Sequence, residues 1–239
     1  VKLDEAAAAM KQIAKSGRKI LFVATKKQAK DIVADRVGKI NMPYVTERWS
    51  GGMLTNFPTI RKAVKKMSTI DKMETDGTFD HLSKREKLQI MRQRTKLEKN
   101  LGSIVDLTRL PAALFVVDIQ KEKIAVAEAK RLQIPVFAMV DTNSDPNQVD
   151  YVIPCNDDAA KAIYLVVDAL ANSIEEGLSE RKVEKDKEAP QDKDNEKKAP
   201  KKESKSSAKK SAAKKVVEEE EENEEEVPEV DEEETENEE

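Results

Sequence analysis

The residues best suited to chemistry lie in one segment, residues 48–57 (RWSGGMLTNF). Arg48 carries a fork of donors that matches a phosphate or a carboxylate. Gly51 and Gly52 let a backbone turn sharply or approach another surface closely, and Trp49 offers a large flat contact surface. The segment therefore has the composition of a phosphate-contacting loop. An ordinary strand-to-helix turn with a buried tryptophan explains the same residues.

Complete sets of catalytic or metal-binding residues are not found in this sequence. Asp118 and Asp141 follow apolar runs, where carboxylates of α/β enzymes often lie. The chain has a single His81 and a single Cys155, which leaves little general-base machinery and no cysteine-rich metal site. The loop after Asp141 begins like a calcium-binding loop, but Pro146 stands where such a loop requires glycine. We predict no catalytic, cofactor-binding or metal-binding site.

The sequence also lacks the common nucleotide-binding motifs. Residues 24–28 (ATKKQ) form the first predicted strand-to-helix turn and contain no glycine, so neither common phosphate-loop pattern is present. Lys26 and Lys27 lie at a predicted helix start, where a phosphate docks readily, but surface lysines explain them better. A cytoplasmic α/β nucleotide-binding regulator or enzyme is kept as the alternative function.

The elements that must position these residues alternate between helix and strand. Apolar periodicity predicts helices over residues 3–16, 26–38, 122–132 and 158–176, and short apolar runs predict strands over 19–24, 44–45, 113–118, 135–140 and 150–153. Helices between short apolar strands imply a parallel sheet covered on both faces. Thr55 or Asn56 is expected to cap a helix beginning near residue 58, and Asn156 or Asp157 the last helix.

Residues 58–101 predict a helical hairpin inserted in that sheet. Apolar residues recur at helical spacing over 58–74 and 83–101, Ser83 and Glu86 form a capping-box pattern, and Gly102 is a plausible stop. A solvated helix face explains its many cations about as well as RNA contact does. These cations are Arg61, Lys62, Lys65, Lys66, Lys84, Arg85, Lys87, Arg92, Arg94, Lys96 and Lys99.

Charge divides the 239-residue chain unevenly. Residues 1–182 carry a net charge of +7 and residues 183–239 a net charge of −11, which together give the overall −4. The second part is rich in lysine and then in glutamate, which predicts a disordered tail. Its acidic end is expected to fold back loosely onto the lysine-rich part or the basic domain. We predict a core of residues 1–57 and 102–182, an inserted hairpin of 58–101 and a tail of 183–239.

Targeting signals and membrane spans are not visible in the sequence. No apolar run approaches the ~20 residues of a membrane-spanning helix, and no signal peptide is recognisable. The sequence begins with Val1, so we expect it to start inside a longer protein. A lone cysteine fits a reducing compartment, and we predict a cytoplasmic location.

Four strings taken together resemble the bacterial S-two family of small-subunit ribosomal proteins. They are residues 48–57 (RWSGGMLTNF), 110–125 (LPAALFVVDIQKEKIA), 134–149 (IPVFAMVDTNSDPNQV) and 153–158 (IPCNDD). The resemblance runs through residues 1–180 in the expected order and spacing. Two departures stand out: Cys155 replaces a common glycine, and the glycine-, histidine- and tryptophan-containing segment that usually opens the family is missing here.

The resemblance implies both a fold and a role. The fold is an α/β, Rossmann-like (flavodoxin-like) three-layer parallel sheet without a nucleotide site, carrying an inserted coiled-coil hairpin. The role is structural: contact with small-subunit ribosomal RNA at the head–body junction, neighbouring small-subunit ribosomal proteins as partners, and help in recruiting the mRNA-binding S-one protein. No cofactor, small-molecule substrate or membrane partner is implied.

Cations and the glycine-flanked segment supply the predicted RNA contacts, with Trp49 compatible with RNA contact or core packing. The candidates are Arg48, Trp49, Asn56, Arg61, Lys62, Lys65, Lys84, Arg85, Arg92, Arg94 and Lys96. Besides the ribosomal role and the nucleotide-binding alternative, a third hypothesis makes the charged tail the active part, as a chaperone or nucleic-acid organiser.

Overall fold

Five parallel strands form one sheet in the computed structural model, which describes residues 1–188. The strands are β1 (Ile20–Val23), β2 (Tyr44–Val45), β3 (Ala113–Val117), β4 (Val136–Val140) and β5 (Tyr151–Pro154). They lie in the order β2-β1-β3-β4-β5, and every neighbouring pair is parallel. This is the flavodoxin-like order, so the predicted α/β, Rossmann-like fold is confirmed.

Six helices accompany the sheet within the described residues. They are α1 (Lys2–Lys15), α2 (Lys27–Lys39), α3 (Phe57–Thr75), α4 (Lys84–Leu101), α5 (Lys123–Arg131) and α6 (Ala160–Glu188). The predicted end of the last helix at residue 176 is wrong, because α6 continues through twelve further residues. The division into core, insertion and tail stays a prediction, and residues 189–239 lie outside the described part. No helix within residues 1–188 is both long and apolar enough to cross a membrane.

Two apolar layers cover the two faces of the sheet, because successive strand residues point to opposite sides. Phe22 and Phe115 face the layer that packs under α1, α2 and α6. Leu21 and Leu114 face the second layer, which includes α5 and the start of the hairpin. All residues of β1, β3 and β4 are buried, as expected for central parallel strands covered on both faces.

The hairpin is formed by α3 and α4. Val64, Met67 and Ile70 are the buried residues of α3. The predicted capping box is present at the start of α4: the Glu86 amide donates to Ser83 Oγ at 3.4 Å, and the Ser83 amide donates to Glu86 Oε2 at 2.9 Å. Together the apolar face of α3 and this capping box account for the predicted pair of helices.

Side-chain capping of α3 by Thr55 or Asn56 is not found. Asn56 precedes α3, but its side chain accepts from Thr59 Oγ1 at 2.8 Å rather than from a backbone amide. The Thr55 side chain donates to Glu128, a residue of α5. The loop before α3 is therefore held by a long-range contact instead of a local cap.

Candidate nucleic-acid interface

The loop between β2 and α3 contains the Trp-Gly-Gly segment and is packed against the core. Trp49 is only 7% exposed, and Met53 and Leu54 are buried beside it in the second apolar layer. Gly52 has a φ of +83°, a conformation that favours glycine, and its carbonyl accepts from the Asn56 amide at 2.8 Å. The glycine therefore serves the sharp turn that leads into the hairpin.

Glu128 holds this loop from α5. Its carboxylate is buried, and Oε1 accepts from Trp49 Nε1 at 3.1 Å and from the Gly52 amide at 2.8 Å. Oε2 accepts from the Leu54 amide at 2.9 Å, the Thr55 amide at 3.1 Å and Thr55 Oγ1 at 3.2 Å. All five donors are neutral and come from seven consecutive residues. The loop thus folds around one carboxylate.

Ionisation of Glu128 follows from these donors. Burial raises the pKa of Glu128, but hydrogen bonds from Thr55, Leu54, Trp49 and Gly52 outweigh that effect, so the pKa lies below its usual range. Our reading of the sequence missed this residue. The signal was present, because Glu128 shares the buried face of α5 with Ala125 and Ala129, where an acid requires partners.

The predicted contact residues of the loop fall into two groups. Arg48 and Asn56 are exposed, so both face solvent at the base of the hairpin. Trp49 is buried and its indole N–H is committed to Glu128, which makes it a packing residue here. Trp49 is therefore not part of the exposed surface at the base of the hairpin.

Two of the predicted cations on the hairpin are engaged within the protein. Arg61 is half-buried, and its guanidinium donates to the carbonyl oxygens of Val105 at 3.3 Å and Leu107 at 3.1 Å. Arg94 pairs with Asp71 on α3 and donates to Glu98 Oε2 at 2.9 Å. These two arginines thus brace the hairpin rather than standing free.

The remaining hairpin candidates are exposed and, within residues 1–188, donate to no carboxylate. They are Lys62, Lys65, Lys84, Arg85, Arg92 and Lys96. Arg85, Arg92 and Lys96 are spaced by seven and four residues, which places them on one face of α4. Leu88, 53% exposed, lies between them in a shallow groove that Met91 also lines. This face offers positive charge beside apolar surface.

The crevice where a doubly wound fold usually binds a nucleotide is filled by the chain's own carboxylates. It lies beyond the carboxyl ends of β1 and β3, where the strand order reverses. Lys26 Nζ lies 2.7 Å from Asp157 Oδ1, 2.6 Å from Asp158 Oδ1 and 3.5 Å from Asp118 Oδ2. Beside it, Glu122 accepts from the Thr25 amide at 3.2 Å. This arrangement disfavours a phosphate.

The charges in this crevice also argue against a bound phosphate. Burial lowers the pKa of Lys26, but its hydrogen bonds to Asp157 and Asp158 raise it well above its ordinary value. Asp141, Asp157 and Asp158 each bring one carboxylate oxygen within 4.8 Å of the others, a spacing that suits a cation. The Lys26 ammonium already supplies positive charge to two of these three groups.

Comparisons with known proteins assign the family. A sequence profile for ribosomal protein S2 matches residues 1–177. The chain belongs to the ribosomal protein S2 family. As a member of this S2 family it has a structural, non-enzymatic role in the cytoplasmic ribosome, as we predicted.

Individual relatives of the S2 family agree with this assignment. The small ribosomal subunit protein uS2 of Parabacteroides distasonis is 69% identical over 192 residues, which cover 80% of this chain and 69% of that protein. The protein of the same name from Phocaeicola vulgatus is 71% identical over 184 residues, covering 77% of this chain and 66% of that protein. The chain thus spans about two thirds of the length of the curated relatives it matches.

Proposed function

We propose that this chain is a structural constituent of the small ribosomal subunit that binds small-subunit ribosomal RNA through the hairpin. The observation that carries the proposal is the face of α4 with Arg85, Arg92 and Lys96, which are exposed and free of carboxylate partners. Unpaired cations on a helix face are suited to phosphates of a nucleic-acid backbone. Arg48 and Asn56 extend the proposed surface to the base of the hairpin.

Lys62, Lys65 and Lys84 supply further positive charge on the same hairpin. Two finer parts of the proposal rest on the family resemblance: a position at the head–body junction, with neighbouring small-subunit ribosomal proteins, and help in recruiting the mRNA-binding S-one protein. The carboxylates around Lys26 argue against the alternative of a nucleotide-binding regulator, because they would repel a phosphate from the usual crevice.

Salt dependence of RNA binding tests the proposal. Affinity of the full chain for full-length small-subunit ribosomal RNA is measured over a series of salt concentrations. We expect a steep decline, and substitution of Arg92 by alanine should lower the slope of log affinity against log salt by about 1. The matched control is Lys161→Ala, at an exposed lysine outside the hairpin, and it should leave the slope unchanged. A flat salt dependence of the unaltered chain would contradict the proposal.

A further inference from the structure

We propose that Glu128 is a positioning residue, whose ionised carboxylate fixes the conformation of residues 48–56 and so holds Arg48 and Asn56 in place for RNA. This inference rests on the proposed function. Glu128 itself is buried, so it acts only through the loop. It lies on α5, more than seventy residues further along the chain than the loop that it holds.

The hydrogen bonds show why a carboxylate is required. The donors at both oxygens belong to Trp49, Gly52, Leu54 and Thr55, so the single side chain fixes both halves of the turn. A glutamine has the same shape but replaces one acceptor oxygen by an N–H donor. That donor would meet the backbone amides of the loop, which leaves buried donors without acceptors.

Exposed residues of the loop are the ones the proposed function uses. Arg48 precedes the first donor residue and Asn56 follows the last, so both flank the segment that wraps Glu128. Gly51, at the tip, has open space where a side chain would stand, which leaves its backbone accessible. Release of the carboxylate would therefore free the very residues proposed to approach RNA.

The test uses Trp49, the only tryptophan of the chain, as a reporter. The full chain and Glu128→Gln are compared by the indole 1H–15N NMR signal and by affinity for full-length small-subunit ribosomal RNA. We expect the indole proton signal to move upfield, because the charge-assisted hydrogen bond is lost, and the affinity to fall by about tenfold. Glu175→Gln, an exposed glutamate of α6, carries the same change of charge and should move neither readout.

A second variant keeps the test decisive if Glu128→Gln does not fold. Thr55→Val removes only the hydroxyl donor at an exposed position and preserves volume. The indole signal should move by a smaller amount than in Glu128→Gln, with no loss of helical circular dichroism.

Three results would overturn the inference. An indole signal that is unchanged in both variants would show that the carboxylate does not hold the loop. A shifted signal with unaltered RNA affinity would show that loop conformation does not matter for RNA, and the proposed function would still stand. Failure of the unaltered chain to bind RNA would instead overturn the proposed function, and the inference would fall with it.

Discussion

At the scale of single residues, two buried glutamates, one just before α5 and one within it, have pKa values shifted in opposite directions. Glu122 is 3% exposed; burial raises its pKa, and hydrogen bonds from Thr25 offset only part of that effect. Glu128 is 7% exposed, and its loop donors lower its pKa below the usual range. Burial opposes ionisation at both residues; the loop donors outweigh it at Glu128, and the Thr25 donors do not outweigh it at Glu122.

Glutamine substitutions at these two positions should have different effects on stability. Glu128→Gln is expected to lower the free energy of unfolding by about 2 to 3 kcal/mol at neutral pH, because a charged acceptor is lost and buried donors are left unpaired. Glu122→Gln should change it by less than about 1 kcal/mol, since Gln still accepts from Thr25 and no charge is buried. Urea unfolding of the two variants and the unaltered chain measures both. Equal losses of unfolding free energy in the two variants would contradict the different roles assigned to Glu128 and Glu122.

The pH dependence has a definite sign for each residue. The pKa of Glu128 is lowered on folding, so its stabilisation is complete above the unfolded value of 4.5 and is lost as pH falls through the folded pKa. The pKa of Glu122 is raised, so the stability it contributes is present below 4.5 and is lost as pH rises through the folded pKa. The difference between the unaltered chain and Glu128→Gln should therefore shrink below pH 4.5, as urea unfolding at several pH values would show.

At the scale of elements, the packing of α1 against α6 depends on a close backbone approach at Gly177. A Cβ atom built on Gly177 would lie 2.6 Å from the Lys11 carbonyl oxygen and 3.2 Å from Ala14 Cβ. Salt bridges between Lys11 and Glu180 at 2.9 Å and between Lys15 and Glu184 at 2.6 Å run along the same pair of helices. The glycine sets the distance between the helices, and the ion pairs lie at their exposed edge.

Alanine substitutions at two helical glycines should therefore have different effects. Gly177→Ala is expected to destabilise the protein by about 1 to 3 kcal/mol through overpacking, although alanine is the better helix former. Gly38→Ala, in α2, is the matched control: its Cβ would lie 3.9 Å from Tyr44, an ordinary contact, and stability should be unchanged or rise by up to about 1 kcal/mol. Thermal and urea unfolding of both variants measure the difference. A stabilising Gly177→Ala would contradict the close approach.

The same glycine explains how far the sequence could predict the fold. Short apolar runs were sufficient to predict β1, β3 and β4, and the Ser83 and Glu86 pattern was sufficient to predict the capping box. Each of these signals lies within a few consecutive residues. The full length of α6 was missed, since a glycine inside a helix is justified only by a neighbour distant in sequence. Glu128 and the carboxylates around Lys26 were missed for the same reason: their partners lie 73 to 132 residues away. Candidate cations were identifiable by type, but only tertiary contacts distinguish braced Arg61 and Arg94 from exposed Arg92.

At the scale of the whole molecule, the charges engaged within the protein and the charges proposed to contact RNA are different sets. The charges that hold the fold are engaged within the protein: Lys26 in the crevice, Arg61 and Arg94 in the hairpin, and the Glu128 carboxylate under the loop. Those proposed to bind RNA are exposed and unpaired within residues 1–188. Exposed charges contribute little to stability. Substitution of these exposed cations should therefore weaken assembly into the ribosomal subunit without loss of stability.

A triple substitution tests this separation. Lys62→Gln, Arg92→Gln and Lys96→Gln together remove three positive charges from the hairpin, and the melting temperature should stay close to that of the unaltered chain. The matched control removes the same charge from exposed positions elsewhere: Lys27→Gln, Lys130→Gln and Lys161→Gln.

Co-sedimentation with small ribosomal subunits in sucrose gradients is measured as salt is raised. The hairpin variant should be released at markedly lower salt than the control, because three phosphate contacts contribute roughly three units to the salt slope. Release of both variants at the same salt would show that net charge, rather than the hairpin face, governs the association.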